Sequence, residues 1–379
     1  KKEKQTGRKK TMKETAKRIF TTAMVFIMLL GMVQAPVLAA GQPQMQMILE
    51  YESRYDFDET TRRFEENVKE AGWSLVQVFD YKEILGEKEY DIDNIKIYAV
   101  CSGQYSAAIL ELDHERMVSP LMPCTISIYE KSNGTTYIAQ LNSGEVAQPF
   151  GGVIAETMMA VAQETHAMIS DLIAADTPAP ASLPPQAAAG YQGHIAWFAR
   201  HTGGDGVVAY ATAIKAKEAA GEPLHDAPAA MAFKMDHPHL FMDEAAMNMQ
   251  MILEHQSRHN FDETVSHLKE NVNEAGWSVV GEFDYREILG ARGYDINNIK
   301  ILAICSGKYS AEILSLDDER MVSPLMPCRV AVYEKSDGNT YIARLNSGEV
   351  AQPFGGVIAE TMMAVALDTE AIVQDLIQQ

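Results

Sequence analysis

The sequence predicts an α+β protein: two repeated α/β sandwich domains, each a mostly antiparallel sheet with helices packed on one face. Three observations predict it. The block Met45-Gln-Met-Ile-Leu-Glu50 recurs as Met249–Glu254, and the two halves then align at a constant offset of 204 as far as Ile173 and Ile377. Roughly 70% of the aligned positions are identical, the mark of a duplicated unit. Within each half, β-branched and aromatic runs alternate with amphipathic stretches of helical period.

The elements follow in order. Met45–Glu50 reads as a strand. Asp58–Ala71 is amphipathic, with Phe64 and Val68 on one face and Asp58 as the expected N-cap, and Gly72 ends it. Trp73–Asp80 and Ile95–Cys101 read as strands, and Tyr105–Leu112 as a short helix. Cys124–Glu130 and Thr136–Leu141 form a hairpin around Asn133-Gly134, a strong turn signal. Val153–Ile173 is a long closing helix. The order β-α-β-β-α-β-β-α fits helices segregated to one face of a sheet.

Three segments carry a resemblance to a known family. "IKIYAVCS", "LMPCTISIYEKSNGTTYIAQLN" and "FGGVIAETM" in the first copy, and "IKILAICS", "LMPCRVAVYEKSDGNTYIARLN" and the same tail in the second, resemble the family of domain of unknown function 302. The resemblance spans nearly all of both halves. It implies the α+β fold already read from the pattern and carries no catalytic residue over.

The chain divides into residues 1–39, a signal peptide with an N-terminal extension; 45–175, the first repeat; 176–246, a linker; and 247–379, the second repeat. From Met12, the basic residues Lys13, Lys17 and Arg18 precede an apolar run from Ile19 to Val33, and Val37-Leu38-Ala39 supplies small residues for cleavage after Ala39 or Ala40. An uncleaved anchor is the alternative, though the run is short for a span, which needs about 20 residues. The expected location is therefore periplasmic or extracellular, with no membrane span after signal cleavage. The linker holds Thr177–Pro185, stiff and proline-rich, then an Ala- and His-rich stretch with one helix expected near Gly206–Ala220.

Charge narrows the partners. The net charge is −20, and residues 1–39 hold nine Lys/Arg against two Asp/Glu, which leaves −27 for the remainder. An acidic surface of this strength argues against nucleic acid and anionic membranes.

Each copy has two cysteines, Cys101 with Cys124 and Cys305 with Cys328. Strand alternation points each toward a core. If a helix crossover joins parallel strands, Cys101 and Cys124 lie at opposite edges of the sheet, so buried free thiols are expected, with a disulfide as the alternative. Core packing is the first reading of Met122, Cys124, Met326 and Cys328; a soft-metal set for copper is the alternative. His237 and His239, the tightest pair among the linker histidines His194, His201 and His225, are a further metal candidate against a solvated, incidental cluster. Cys-x-x-Cys-His, His-Glu-x-x-His, Gly-x-Ser-x-Gly and phosphate-loop motifs are absent from the sequence, so haem is a candidate cofactor only through unlinked ligands.

Leu141–Ala162 recurs without change as Leu345–Ala366. Gly151-Gly152 reads as the tight turn into a helix whose start is apolar nearly all round, which needs burial on more than one side. Phe150, Gly151, Gly152, Met158 and Met159, with Phe354, Gly355, Gly356, Met362 and Met363, are therefore the interface or binding candidates. The leading expectation is an exported non-enzymatic binding or interaction protein whose copies pair with each other, with a protein or a small apolar ligand as further partner. A soft-metal or haem-handling redox protein, and an enzyme with a site between the copies, are the alternatives.

Overall fold

The structure, a computed structural model, describes residues 47–174 and 250–378, together with 210–214, 217 and 233. The expected signal peptide, the proline-rich stretch and His194, His201, His225, His237 and His239 lie outside the described residues. In the linker, residues 210–214 are helical, inside the stretch where a helix was expected, and Tyr210 packs on Phe233 at 4.7 Å between ring centroids. Among the described residues no helix is long and apolar enough to cross a membrane.

In the first copy the order is β1 (Ile48–Glu52), α1 (Phe57–Glu70), β2 (Ser74–Asp80), α2 (Tyr81–Gly86), β3 (Ile95–Cys101), α3 (Gly103–Leu110), β4 (Cys124–Glu130), β5 (Thr136–Leu141), α4 (Ser143–Val146) and α5 (Gly152–Ile169). A 3-10 turn, Glu115–Leu121, links α3 to β4. The second copy repeats this as β6 (Ile252–Gln256), α6 (Phe261–Glu274), β7 (Ser278–Asp284), α7 (Tyr285–Gly290), β8 (Ile299–Cys305), α8 (Gly307–Leu314), β9 (Cys328–Glu334), β10 (Thr340–Leu345), α9 (Ser347–Val350) and α10 (Gly356–Val373), with a 3-10 turn at Glu319–Leu325.

Local chemistry explains the boundaries. The α1 cap is Asp56, whose carboxylate accepts from Glu59 N at 2.9 Å, and not Asp58, which lies in the first turn where an acid suits the helix dipole. Gly134 turns the β4–β5 hairpin at φ +78, and its N–H donates to Lys131 O. Gly151 and Gly152 have φ of +64 and +50, so the pair does supply the bend into α5. The short helix α2 was not foreseen; Asp80 caps it by accepting from Glu83 N at 3.2 Å.

Each copy is a five-stranded sheet, in the order β1-β5-β4-β3-β2 and β6-β10-β9-β8-β7, with every pairing antiparallel. This corrects the crossover argument about the cysteines. Because β3 and β4 are antiparallel neighbours with Val100 opposite Cys124, Cys101 and Cys124 lie at the same end of the sheet. A residue one step along a strand leaves by the other face, so their side chains diverge. All four cysteines are free.

The two faces of the first sheet are buried differently. Tyr98, Val100, Ile126, Ile128 and Ile138 pack under α1 and α5 with Phe64, Val68, Val161 and Met168. Ile95, Ile97, Ala99 and Cys101 emerge on the opposite face, in a core continuous with that of the second copy. From this face Thr125 Oγ1 donates to Pro324 O at 2.5 Å, and Ser323 Oγ donates to Ser127 Oγ at 2.7 Å.

Further contacts across the seam come in reciprocal pairs. Arg116 Nη1 donates to Glu334 O at 2.8 Å, and Arg320 Nη1 donates to Glu130 O. The Ser132 N–H donates to Asp317 at 2.9 Å, and the Ser336 N–H donates to Asp113 at 3.0 Å. Lys88 Nζ donates to Ser278 Oγ at 3.1 Å and Arg292 Nη2 to Ser74 Oγ at 2.6 Å. Room for these two long side chains comes from Gly307 and Gly103, where an added Cβ would sit 2.4 Å from Lys88 and 2.5 Å from Arg292. Such reciprocity is the signature of an isologous, two-fold interface.

This seam is not where the sequence placed it. It runs through strands and 3-10 turns, whereas α5 and α10 pack on their own copies. Met159 lies over Gly144 and Met363 over Gly348, both within one copy, so the apolar start of each helix covers its own short helix α4 or α9.

Arg116 and Arg320 are almost fully buried and satisfy strand-end carbonyls of the facing copy. Arg320→Ala leaves those acceptors and Asp93 without their partner. It should lower the urea unfolding free energy by about 2–3 kcal/mol. A change below about 0.5 kcal/mol, the scale of a plain surface substitution, would contradict the role given to the seam.

Candidate functional site

At the end of each sheet where β3 meets α3, or β8 meets α8, a small pocket opens. The first is lined by Trp73 from the start of β2, Cys101 and Ser102 at the end of β3, Tyr105, Ser106 and Ile109 of α3, Met122-Pro123-Cys124 leading into β4, and Met158 and Val161 of α5. The second is lined by the matching residues, with Ile304 where the first has Val100; Tyr81 and Leu325 line only the second, and Thr157 only the first. Each has room for about one water molecule.

The local sequence dictates this assembly. Strand β3 ends in Cys101-Ser102, and Gly103 starts α3, which brings Ser106 Oγ to 3.3 Å from Cys101 Sγ. The matching Cys305–Ser310 distance is 3.4 Å. Met122-Pro123 and Met326-Pro327 are cis peptides ahead of β4 and β9. Helix α5 turns Met158 and Val161 inward at a spacing of three.

The facing copy contributes as well. Tyr81, fully buried, lines the second pocket with Cys305 and Cys328, its hydroxyl beside the Cys305 thiol and Ser310. Tyr285 lies beside Cys101 and Cys124 in the mirror position. Burial pushes both phenols well above the usual tyrosine range. Between the pockets is Arg329, which replaces Thr125 of the first copy. Nearly fully buried, its guanidinium donates to Pro123 O at 3.0 Å and sits close enough to feel Cys124, Cys328, Tyr81 and Tyr285. Burial is the main reason that its pKa falls.

The sequence candidates divide accordingly. Met122, Cys124 and Met158, with Met326, Cys328 and Met362, come together in the pockets, joined by Cys101 and Cys305. Phe150 and Phe354 pack at the edge of the core, and Gly151, Gly152, Gly355 and Gly356 shape the turn into the closing helix. Met159 and Met363 do not reach the pockets. Sequence reasoning missed Tyr81, Tyr285, Trp73, Arg329, Arg116 and Arg320. One available signal was the block Glu115–Cys124, repeated unchanged as Glu319–Cys328, in which an arginine sits inside an apolar stretch. Among the described residues, no group of three His, Cys, Asp or Glu side chains could hold a metal. A pocket with room for one water does not accommodate a haem.

The model of the family "Domain of unknown function DUF302" matches residues 49–175 and 253–379, more than half of the chain. The chain belongs to the DUF302 family, in two tandem copies. The solved structure titled "Crystal structure of uncharacterized conserved protein DUF302 from Bacillus stearothermophilus" is similar at 23% identity, covering 34% of this chain and 98% of that one, with a TM-score of 0.31. No curated protein matches.

The pocket thiols have a measurable signature. Desolvation, ahead of the neighbouring cysteine, pushes Cys124 and Cys328 from 9.0 up to about 12. In the unfolded chain they ionise from about pH 8.5, while in this DUF302 protein they stay protonated. Above that pH the unfolded state holds fewer protons, so stability falls as pH rises, by up to about 1.4 kcal/mol per pH unit for each thiol. The window from about pH 9 to 10 precedes ordinary tyrosine ionisation. There, the Cys124→Ala/Cys328→Ala double variant should show a flatter decline in urea stability than the wild type. Equal slopes would mean the thiols are not buried as described.

Proposed function

We propose that this DUF302 protein is an exported, non-enzymatic binding protein of the cell envelope, in which the two copies act as one paired unit with two equivalent binding pockets. The observation that carries the reading is the likeness of the pockets. They share all but three lining positions, with Ile304 for Val100, and a tyrosine of the facing copy lies beside the cysteines of each. The reciprocal seam supports a unit that works as a pair. The basic and apolar segment before Ala39 supports export.

Mass spectrometry of the protein purified from its own host tests both parts. Under denaturing conditions the chain is expected to begin after Ala39 or Ala40, and a start at Met12 would remove the export claim. Under native conditions an added mass is expected, at up to two equivalents per chain. A bare mass in every preparation would remove the binding claim.

A further inference from the structure

Many contacts across the seam come in matched pairs, but two positions that meet their own counterpart do not match. In a two-fold interface, a residue near the axis faces the equivalent residue of the other half. Equivalent residues here lie 204 apart in the sequence. One such position holds Thr125 and Arg329, and Arg329 Nη1 stands 3.4 Å from Thr125 Oγ1. The other holds Gln77 and Gly281. Gln77 Nε2 donates to Val280 O at 2.8 Å, and an added Cβ at Gly281 would sit 2.6 Å from Gln77 Oε1.

Each pair is complementary in one direction only. At the first position the second copy supplies a long charged side chain and the first copy a small hydroxyl. At the second position the first copy supplies the side chain and the second copy the space. From these two mismatches we propose that the seam is a heterotypic interface. A first-copy face fits a second-copy face and disfavours another of its own kind, so the chain closes on itself instead of joining like halves of two chains.

Two second-copy faces would bring two Arg329 side chains to one buried place. Arg329 is 6% exposed, and the groups that act on it most are Cys124, Tyr285, Cys328 and Tyr81, none of them a carboxylate. Its hydrogen bonds go to Pro123 O and Thr125 Oγ1, both of the first copy. In a like pairing each guanidinium would lose the Thr125 hydroxyl and meet a like charge out of water, which is costly without a counter-ion. Two first-copy faces would set Gln77 against Gln77, in space that one glutamine now fills beside a glycine. They would also lack the guanidinium that donates to Pro123 O. Specificity of this kind comes from penalising the wrong partner as well as from favouring the right one.

The test uses full-length chains. Thr125→Arg puts an arginine on both faces and should lower the urea midpoint by about 1 M or more, the scale of an unpaired buried charge. Thr125→Arg with Arg329→Thr exchanges the two residues between the copies and should recover most of that loss. The transferred guanidinium then meets the cis Met326-Pro327 peptide in place of Met122-Pro123. A purely local role for Arg329 would instead make the exchange at least as harmful as either single change.

Mixing two chains tests partner choice itself. A Thr125→Arg chain has arginine on both faces and an Arg329→Thr chain has threonine on both, so every Arg–Thr contact lies between the two chains. Refolded together, they should sediment as a two-chain species, and native mass spectrometry should find one of each. This arm holds even where Thr125→Arg does not fold alone, because the other chain supplies the matching face. The inference is overturned by an unchanged urea midpoint in Thr125→Arg, by an exchange that recovers nothing, or by a mixture that yields only what each variant forms alone.

Discussion

Two buried arginines tie the halves of this protein together. Arg116 and Arg320 each donate from Nε to a carbonyl at the end of the preceding helix, Leu110 O and Leu314 O at 2.7 Å, and reach with Nη1 to a strand-end carbonyl of the facing copy. An arginine is suited to this because its planar fork offers five fixed donors. A guanidinium taken out of water is tolerated only if those donors are used. Asp113 and Asp317 lie against the arginines and also receive serine N–H groups from the other copy. Charge, backbone carbonyls and loops thus fit only one mutual arrangement.

That arrangement answers a problem set by the sheet. Helices cover one face of each sheet, while Ile95, Ile97, Ala99 and Cys101 emerge on the other, in the core shared with the second copy. Exposed, such a face would be a large apolar patch. Duplicating the domain supplies a matching face in the same chain, at the high effective concentration a tether provides. The pockets follow from the same geometry. They lie where the sheet ends against the seam, so Tyr81 and Tyr285 arrive from the opposite copy.

Much of the single domain was legible in the sequence, because short-range chemistry specifies it. Ile95–Cys101, Cys124–Glu130 and Thr136–Leu141 are strands over those same residues, since β-branched runs and an Asn-Gly turn are local signals. The first helix starts one residue earlier than expected because two aspartates, Asp56 and Asp58, compete as caps. The helix Tyr81–Gly86 is too short for periodicity to reveal. What was not legible is long-range. The antiparallel register of β3 and β4 depends on how α3 and its 3-10 turn return the chain, and alternation cannot show it. The seam was placed on Met158, Met159, Met362 and Met363 because apolar helix surface stands out in a sequence. The true seam uses serines, threonines and arginines among apolar strand residues, and each of those alone looks ordinary. The pockets were half visible: Met122 and Cys124 are two residues apart in sequence, but Cys101 and Met158 join them only through the fold.

The central claim is that each copy needs the other to cover its second sheet face. Sedimentation of a single copy, residues 250–379 expressed alone, tests this most directly. The account predicts either a two-fold homodimer that rebuilds the seam or a chain that fails to fold. A folded, stable monomer would contradict it.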